Sequence, residues 1–448
     1  MIRQSLNIGG LLALSLLATS VHAATVELYG QIDVGLDYAY TSVARVATAD
    51  LAPGIKPSNN PHATQLLESK NKHFSKLGLR SGMNSPSWIG LRGTEDLGNG
   101  WQTGFVLENG FNVDDGAMTD KNRLFNREAS VFVKNDIMTL RFGRLGMLRG
   151  GAGSTGLMKD NLSAFGIDGW GSVQGLNGIM GGEFKIYDNV IALEVPMANG
   201  FKLHAMYTGN ADTTYRYNPN KAGHYNPEPG PNSAAPTENK SDADRYFSAG
   251  VSYKGAKFSG TVVGDYMNWS NHRGSSDHGA RPGSTSDEYH EARDFWSLTA
   301  LGAIHQDDTN WFIAAQYFES AQEIGGNQLA MPKDDRTRTK VICYGAGGDG
   351  YNLTLGVAKP LAGGTIRGSV GYLRAETNKH SGMKWGKMNR YILATGYEYP
   401  FSKRTKVYGG VSYMHDSYTY TYTPHGKYFA TLPDAWEVGA ALGIKHTF

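Results

Sequence analysis

The chain has 448 residues, 40% of them hydrophobic, with 58 glycines, one cysteine and a formal net charge of +2. A mean hydropathy of −0.40 excludes a bundle of membrane helices, since each would need about 20 consecutive apolar residues. The near-neutral charge argues against a nucleic-acid partner, the glycines show no collagen period, and lone Cys343 can form neither an internal disulfide nor a cysteine-based metal site, so it reads as a small core residue and no metal or cofactor is expected.

In chain order, the first element is Met1 to Ala23, with Arg3, an apolar stretch from Ile8 to Ala18, and Val21-His22-Ala23 as a small-x-small pattern. That layout predicts a secretory signal at 1–23, cut after Ala23, because roughly 11 apolar residues are too few to span a bilayer. Exported chains without a later apolar helix end in a soluble extracytoplasmic compartment or enter an outer membrane as a β-barrel.

Beyond Ala23 the pattern has period two, the mark of half-buried strands. From Thr25 to Tyr40, Val26, Leu28, Ile32, Val34, Leu36, Tyr38 and Tyr40 oppose Glu27, Gln31, Asp33 and Asp37. From Trp101 to Phe111, Trp101, Phe105, Leu107 and Phe111 oppose Gln102 and Glu108. At the end, Trp436, Val438, Ala440, Leu442, Ile444, His446 and Phe448 oppose small or polar residues. Aromatics gather near the ends of these apolar faces, as in a barrel with interfacial girdles.

A soluble sandwich alternates too, so the connections decide. Seven joins are tight: 96–100, 135–136, 197–200, 254–255, 306–308, 360–364 and 400–403. Between them lie eight longer polar stretches, about 41–86, 113–122, 145–182, 210–243, 270–289, 321–337, 376–388 and 416–433. Fifteen connections make sixteen antiparallel strands, with both termini and all short turns at one end. Arg338 to Lys359 is long for one strand, and its run Gly345 to Gly350 reads as a glycine bulge rather than a hairpin. The expected fold is therefore all-β, a 16-stranded antiparallel transmembrane β-barrel over 24–448. A closed barrel pairs every backbone group in hydrocarbon while half its side chains stay polar, which keeps mean hydropathy low. Sixteen strands enclose a lumen too wide for side chains to fill, so water occupies it and a channel is the expected consequence.

With the strands placed, the sequence resembles the trimeric general diffusion porins of Gram-negative outer membranes, in particular the β-proteobacterial subgroup. The resemblance rests on VELYGQIDVGLDYAY at 26–40, SWIGLRGTEDLGNGWQTGFVLENGF at 87–111, RLFNREASVFV at 123–133 and FGR at 142–144. It continues with ATGYEYPFSKRTKVYGGVSY at 394–413 and the terminal GIKHTF, whereas about 200–335 match only as alternating strands and loops. It implies a homotrimer in outer-membrane lipid passing ions and small polar solutes, with the third long loop, 145–182, folded into the lumen as the constriction. It also implies that Phe448 is read by the barrel-insertion machinery.

In such porins, wall arginines face loop carboxylates across the narrowest point, where opposed charge orients polar solutes and biases ion choice. The resemblance places Arg92, Arg127 and Arg144 in that ring, with Glu108 from the wall; Arg141 is counted with them, and Asp160 and Asp168, the only acids on the loop, are the natural counter-charges, though no motif fixes their positions. Two positions depart from the family pattern: Trp88 and Ile186 stand where arginines are usual. Ion preference is therefore left open, and the ring is expected to be nearly balanced. Trp88 and Trp170 raise a further possibility, an apolar strip for sugar rings, set against the simpler reading that Trp170 anchors the loop to the wall. An outer-membrane barrel protease or lipase is the alternative from another class; it needs a nucleophile and base in contact, and neither GxSxG nor HExxH occurs. His62, His73, His272, His278 and His290 are scattered in or beside loops. A role of the long loops as adhesin or phage receptor is compatible with transport.

Overall fold

The computed structural model describes residues 25–43, 72–159, 162–215, 234–271, 274–276, 289–291, 293–325, 347–377, 386–422, 428–430 and 434–448. Sixteen antiparallel strands close into one barrel. They are β1 (Thr25–Val43), β2 in two pieces (Lys72–Ser81 and Trp88–Gly98), β3 (Trp101–Gly110), β4 (Glu128–Lys134), β5 (Thr139–Gly146), β6 (Ile186–Pro196), β7 (Phe201–Thr208) and β8 (Arg245–Lys254). The circuit continues with β9 (Phe258–Asn268), β10 (Phe295–Gln306), β11 (Thr309–Ala321), β12 (Gly348–Leu361), β13 (Gly364–Thr377), β14 (Gly386–Pro400), β15 (Thr405–Tyr422) and β16 (Ala435–Thr447). Short strands Gly274–Ser276 and Tyr289–Glu291 pair with each other, and Tyr428–Ala430 pairs with the end of β15.

Each strand pairs with its neighbours in sequence, and β1 pairs with β16 from Gln31↔Thr447 to Ser42↔Trp436. The last residue completes the seam: the Phe448 amide donates to the Gly30 carbonyl at 3.1 Å, and the Gly30 amide donates back at 3.2 Å. All seven tight joins fall between the strand pairs where they were expected. At the β12–β13 join, Ala362 (φ 48) and Gly363 (φ 81) form a two-residue turn with both central residues left-handed, the geometry that matches strand twist.

The alternation follows from the two solvents the wall meets. Leu36, Leu79, Ile191, Leu298, Leu353 and Leu442 point outward and are exposed, while buried residues such as Asp33, Ser130, Thr299 and Asn352 face the lumen. The packed core therefore lies inside the barrel, between its wall and a loop that enters it.

Two expectations need correction. The stretch 41–86 is not all loop, because Lys72–Ser81 pairs with β1 from Val34↔Ser81 to Val43↔Lys72. Its polar residues Lys76 and Arg80 lie on the lumen side, which hides the strand from a hydropathy reading. Between the two pieces of β2, Gly82 to Ser87 turns inward and buries Met83. In the segment expected as one strand from Arg338 to Lys359, the strand is Gly348–Leu361; 338–346 lie outside the described residues. The irregularity there sits on β11 instead, where the register shifts between Phe318 and Ala321 and Ser320 has φ 56. Glu128, Ser130 and Lys134 share the inner face with Glu108: Glu128 pairs with Glu108 and is fully buried, whereas Val131 points out at 49% exposure.

Candidate functional site

The third long connection leaves β5 at Gly146 and returns to β6 at Ile186. Its apolar residues fit into the lumen: Met158, Leu162, Phe165, Ile167, Trp170, Val173, Leu176 and Met180 are all buried. The wall opposite is built from small residues, with Ala303, Ala314, Ala358, Ala394 and Ala441 in the same cluster. Two glycines show how closely the loop approaches. A Cβ on Gly439 would lie 1.9 Å from the Ser172 carbonyl oxygen, and one on Gly396 would lie 2.5 Å from the Trp170 ring.

Polar groups on many strands then fix the loop's course. The Ser172 amide donates to Asp37 Oδ1 at 2.7 Å, and the Gly171 amide donates to the Met83 carbonyl at 3.0 Å. Gln316 makes a two-way amide pair with Gly181, at 2.8 and 3.0 Å. Arg367 donates to the Ala164 carbonyl at 3.0 Å, and Ser154 donates twice to Glu128, at 2.7 and 2.8 Å. At the loop's root, fully buried Arg149 donates to Asp265 at 2.9 Å and to the Glu183 carbonyl at 3.1 Å. Asp37, Gln316 and Arg149 carry no signal in the sequence alone, because their meaning depends on which distant residue the loop brings to them.

Along 162–174 a single residue, Asp168, is exposed; its neighbours are buried against the wall. Asp168 is close enough to act electrostatically on Arg127. Arg127 precedes β4. Its Nε lies 3.6 Å from Glu108 Oε2 and its guanidinium 5.7 Å from the centre of the Trp88 ring. Tyr29 links this group to the next: its hydroxyl donates to Glu108 Oε1 at 2.9 Å, its ring meets Trp88 edge-on at 4.9 Å, and Arg92 lies 4.4 Å over it. Arg92 in turn makes a two-point pair with Glu27 at 2.8 and 2.9 Å. Arg141 also lies on the lumen face, 4.6 Å over Phe132. Trp88, Arg92, Glu108 and Arg127 thus form one continuous strip on β1–β4.

Other expected residues are placed elsewhere. Arg144 pairs with Asp188, which also takes a two-point contact from Arg123 at 3.0 and 2.8 Å. Trp170 is 3% exposed and packs on Phe165 at 4.9 Å and Tyr408 at 5.3 Å. It anchors the loop and offers no face to a sugar, so the aromatic strip with Trp88 is not formed. Asp160 lies outside the described residues. Among the described residues, no group of three or more His, Cys, Asp and Glu side chains is arranged to hold a metal ion.

A family model described as Gram-negative porin matches residues 10–419. The chain is 26% identical to an outer membrane porin protein of Bordetella pertussis over 447 residues, covering 98% of this chain and 99% of the relative. A 70-residue stretch, 16% of this chain and 19% of the relative, is 41% identical to outer membrane porin protein 32 of Delftia acidovorans. Among solved structures, an anion-selective porin from Comamonas acidovorans aligns over 95% of this chain and 100% of its own, with a TM-score of 0.56 and 18% identity, a likeness of fold. A closed sixteen-stranded barrel with a loop packed inside its lumen, matched by the family over most of its length, makes the conclusion direct: the chain belongs to the Gram-negative porins, outer-membrane proteins that form water-filled diffusion channels.

Proposed function

We propose that solutes pass this general diffusion channel through the gap between Asp168 on the inward loop and the strip Arg92, Glu108, Arg127 and Arg141 on the wall. The observation that carries this reading is the exposure of Asp168 within an otherwise buried run, close enough to Arg127 to act on it electrostatically. The arginines do not stand alone: Arg92 is matched by Glu27 and Arg127 by Glu108. Fixed charges of both signs in one narrow aqueous gap orient dipolar solutes while giving little net preference to either ion. Reversal potential in a salt gradient across a planar bilayer tests this, and a value near zero is expected; strong preference for one ion would refute the balanced ring.

The outer surface supports assembly into a homotrimer. From β7 to β14, outward aromatics are joined in register at the loop-side end, as Tyr207↔Phe247, Phe247↔Tyr266, Tyr266↔Trp296, Tyr317↔Tyr351 and Tyr372↔Tyr391. Such a girdle suits a lipid headgroup boundary. The exposed outward residues of β2–β6 are mainly aliphatic, including Leu77, Leu79, Ile89, Leu91, Val131 and Ile191. That face suits packing against other copies. We further propose that 1–23 is a cleaved export signal, and that Phe448, paired to Gly30 and 37% exposed, is the residue presented to the insertion machinery.

A further inference from the structure

The inward loop does not narrow the lumen alone. Residues after β11 fold beside its return leg and meet it in an isolated antiparallel bridge, Gly181 to Ile324, flanked by two bonds: the Gly182 amide donates to the Glu323 carbonyl at 2.7 Å, and the Gly325 amide donates to the Met180 carbonyl at 2.8 Å. One wall residue holds both layers. Arg390 on β14 is 1% exposed and makes a two-point pair with Asp416 on β15 through Nε at 2.7 Å and Nη2 at 2.8 Å. The same guanidinium uses Nη1 to donate to the Gly178 carbonyl at 2.6 Å and to the Gly325 carbonyl at 2.7 Å.

We infer that Arg390 is a positioning residue for the channel, fastening the constriction loop and the segment after β11 together onto the wall and so setting how far the constriction loop stands from it. Three features support this. Asp416 aligns the planar guanidinium, so its remaining donors point at fixed positions. Both acceptors are backbone carbonyls, whose placement fixes the course of the chain rather than of one side chain. Gly325 has φ 66, and a Cβ there would meet Arg390 Nη1 at 2.2 Å, so only glycine allows the segment to approach the clamp. Lysine offers a point charge on a flexible stem and cannot reproduce the planar fork.

The inference rests on the lumen constriction proposed above. It is tested by single-channel recording of the purified full-length protein in planar bilayers, with barrel content followed by circular dichroism. Arg390→Met is expected to keep the β spectrum while adding open-channel current noise and changing conductance, as the loop loses its fixed distance from the wall. Arg390→Lys should retain excess noise, and Gly325→Ala should reproduce it with the arginine still present. Where Arg390→Met fails to fold because the buried Asp416 loses its guanidinium, the double variant Arg390→Met/Asp416→Leu removes both charges and decides the question. Wild-type conductance and noise in whichever of these folds would overturn the inference. If Asp168→Cys is at the same time blocked by a thiol reagent, the constriction reading stands and only the role of Arg390 fails.

Discussion

Replacing Gly439 with alanine probes the seat of the constriction loop with a single methyl group. The added Cβ would lie 1.9 Å from the Ser172 carbonyl oxygen, so the loop must retreat by about 1.5 Å to reach ordinary contact distance. The wall cannot yield in its place, because β16 is paired to β1 and β15 on both sides. Retreat strains two bonds, Ser172 amide to Asp37 at 2.7 Å and Ser412 hydroxyl to the Ser172 carbonyl at 3.0 Å, together worth about 2 to 4 kcal/mol because one acceptor is charged. The anchors at Arg390, Gln316 and Arg367 remain. The loop therefore moves toward the lumen without leaving its place, and single-channel conductance falls. Gly264→Ala is the control, since its Cβ meets nothing nearer than 3.9 Å and conductance should be unchanged. A Gly439→Ala channel with wild-type conductance would refute the packing of Ser172 against this strand.

Charge, assembly and export give further predictions. Arg127→Gln should move the reversal potential toward cation preference and Glu108→Gln toward anion preference, because each removes one side of a neutralising pair; shifts of the same sign would contradict the pairing. Leu298→Arg, on the lipid side of β10, should reduce the yield of folded barrel, since an arginine near the midplane costs about 2 to 4 kcal/mol. Leu77→Arg, on the aliphatic face of β2, should instead release monomers that remain folded, as read by light scattering and circular dichroism. N-terminal sequencing of protein from outer membranes should begin at Ala24, and a start at Met1 would refute the export signal.

The architecture was legible because lipid and water impose period two along each strand and because turns and loops differ in length from one barrel end to the other. The seven turns could be placed from residues such as Asn99-Gly100 and Ala362-Gly363, whose chemistry is local. Strand Lys72–Ser81 escaped notice because its lumen side carries Lys76 and Arg80 and the residues before it resemble loop. A motif match carries no information on side-chain direction: Arg144 meets Asp188, a partner that register and the path of the chain supply. Asp37, Gln316 and Arg390 were invisible as site residues because their partners come from register and from the path of a distant loop. Trp170 was legible as an anchor or a contact, and only its burial against Tyr408 decides between them.

Modification of Asp168→Cys during single-channel recording tests the central claim most directly, with Cys343→Ser as background so that the introduced thiol is the one cysteine present. A bulky water-soluble thiol reagent is expected to lower the current in steps, while Trp170→Cys, buried against the wall, is unaffected in the same time. A current unchanged by modified Asp168→Cys would place this residue away from the conducting path and contradict the account.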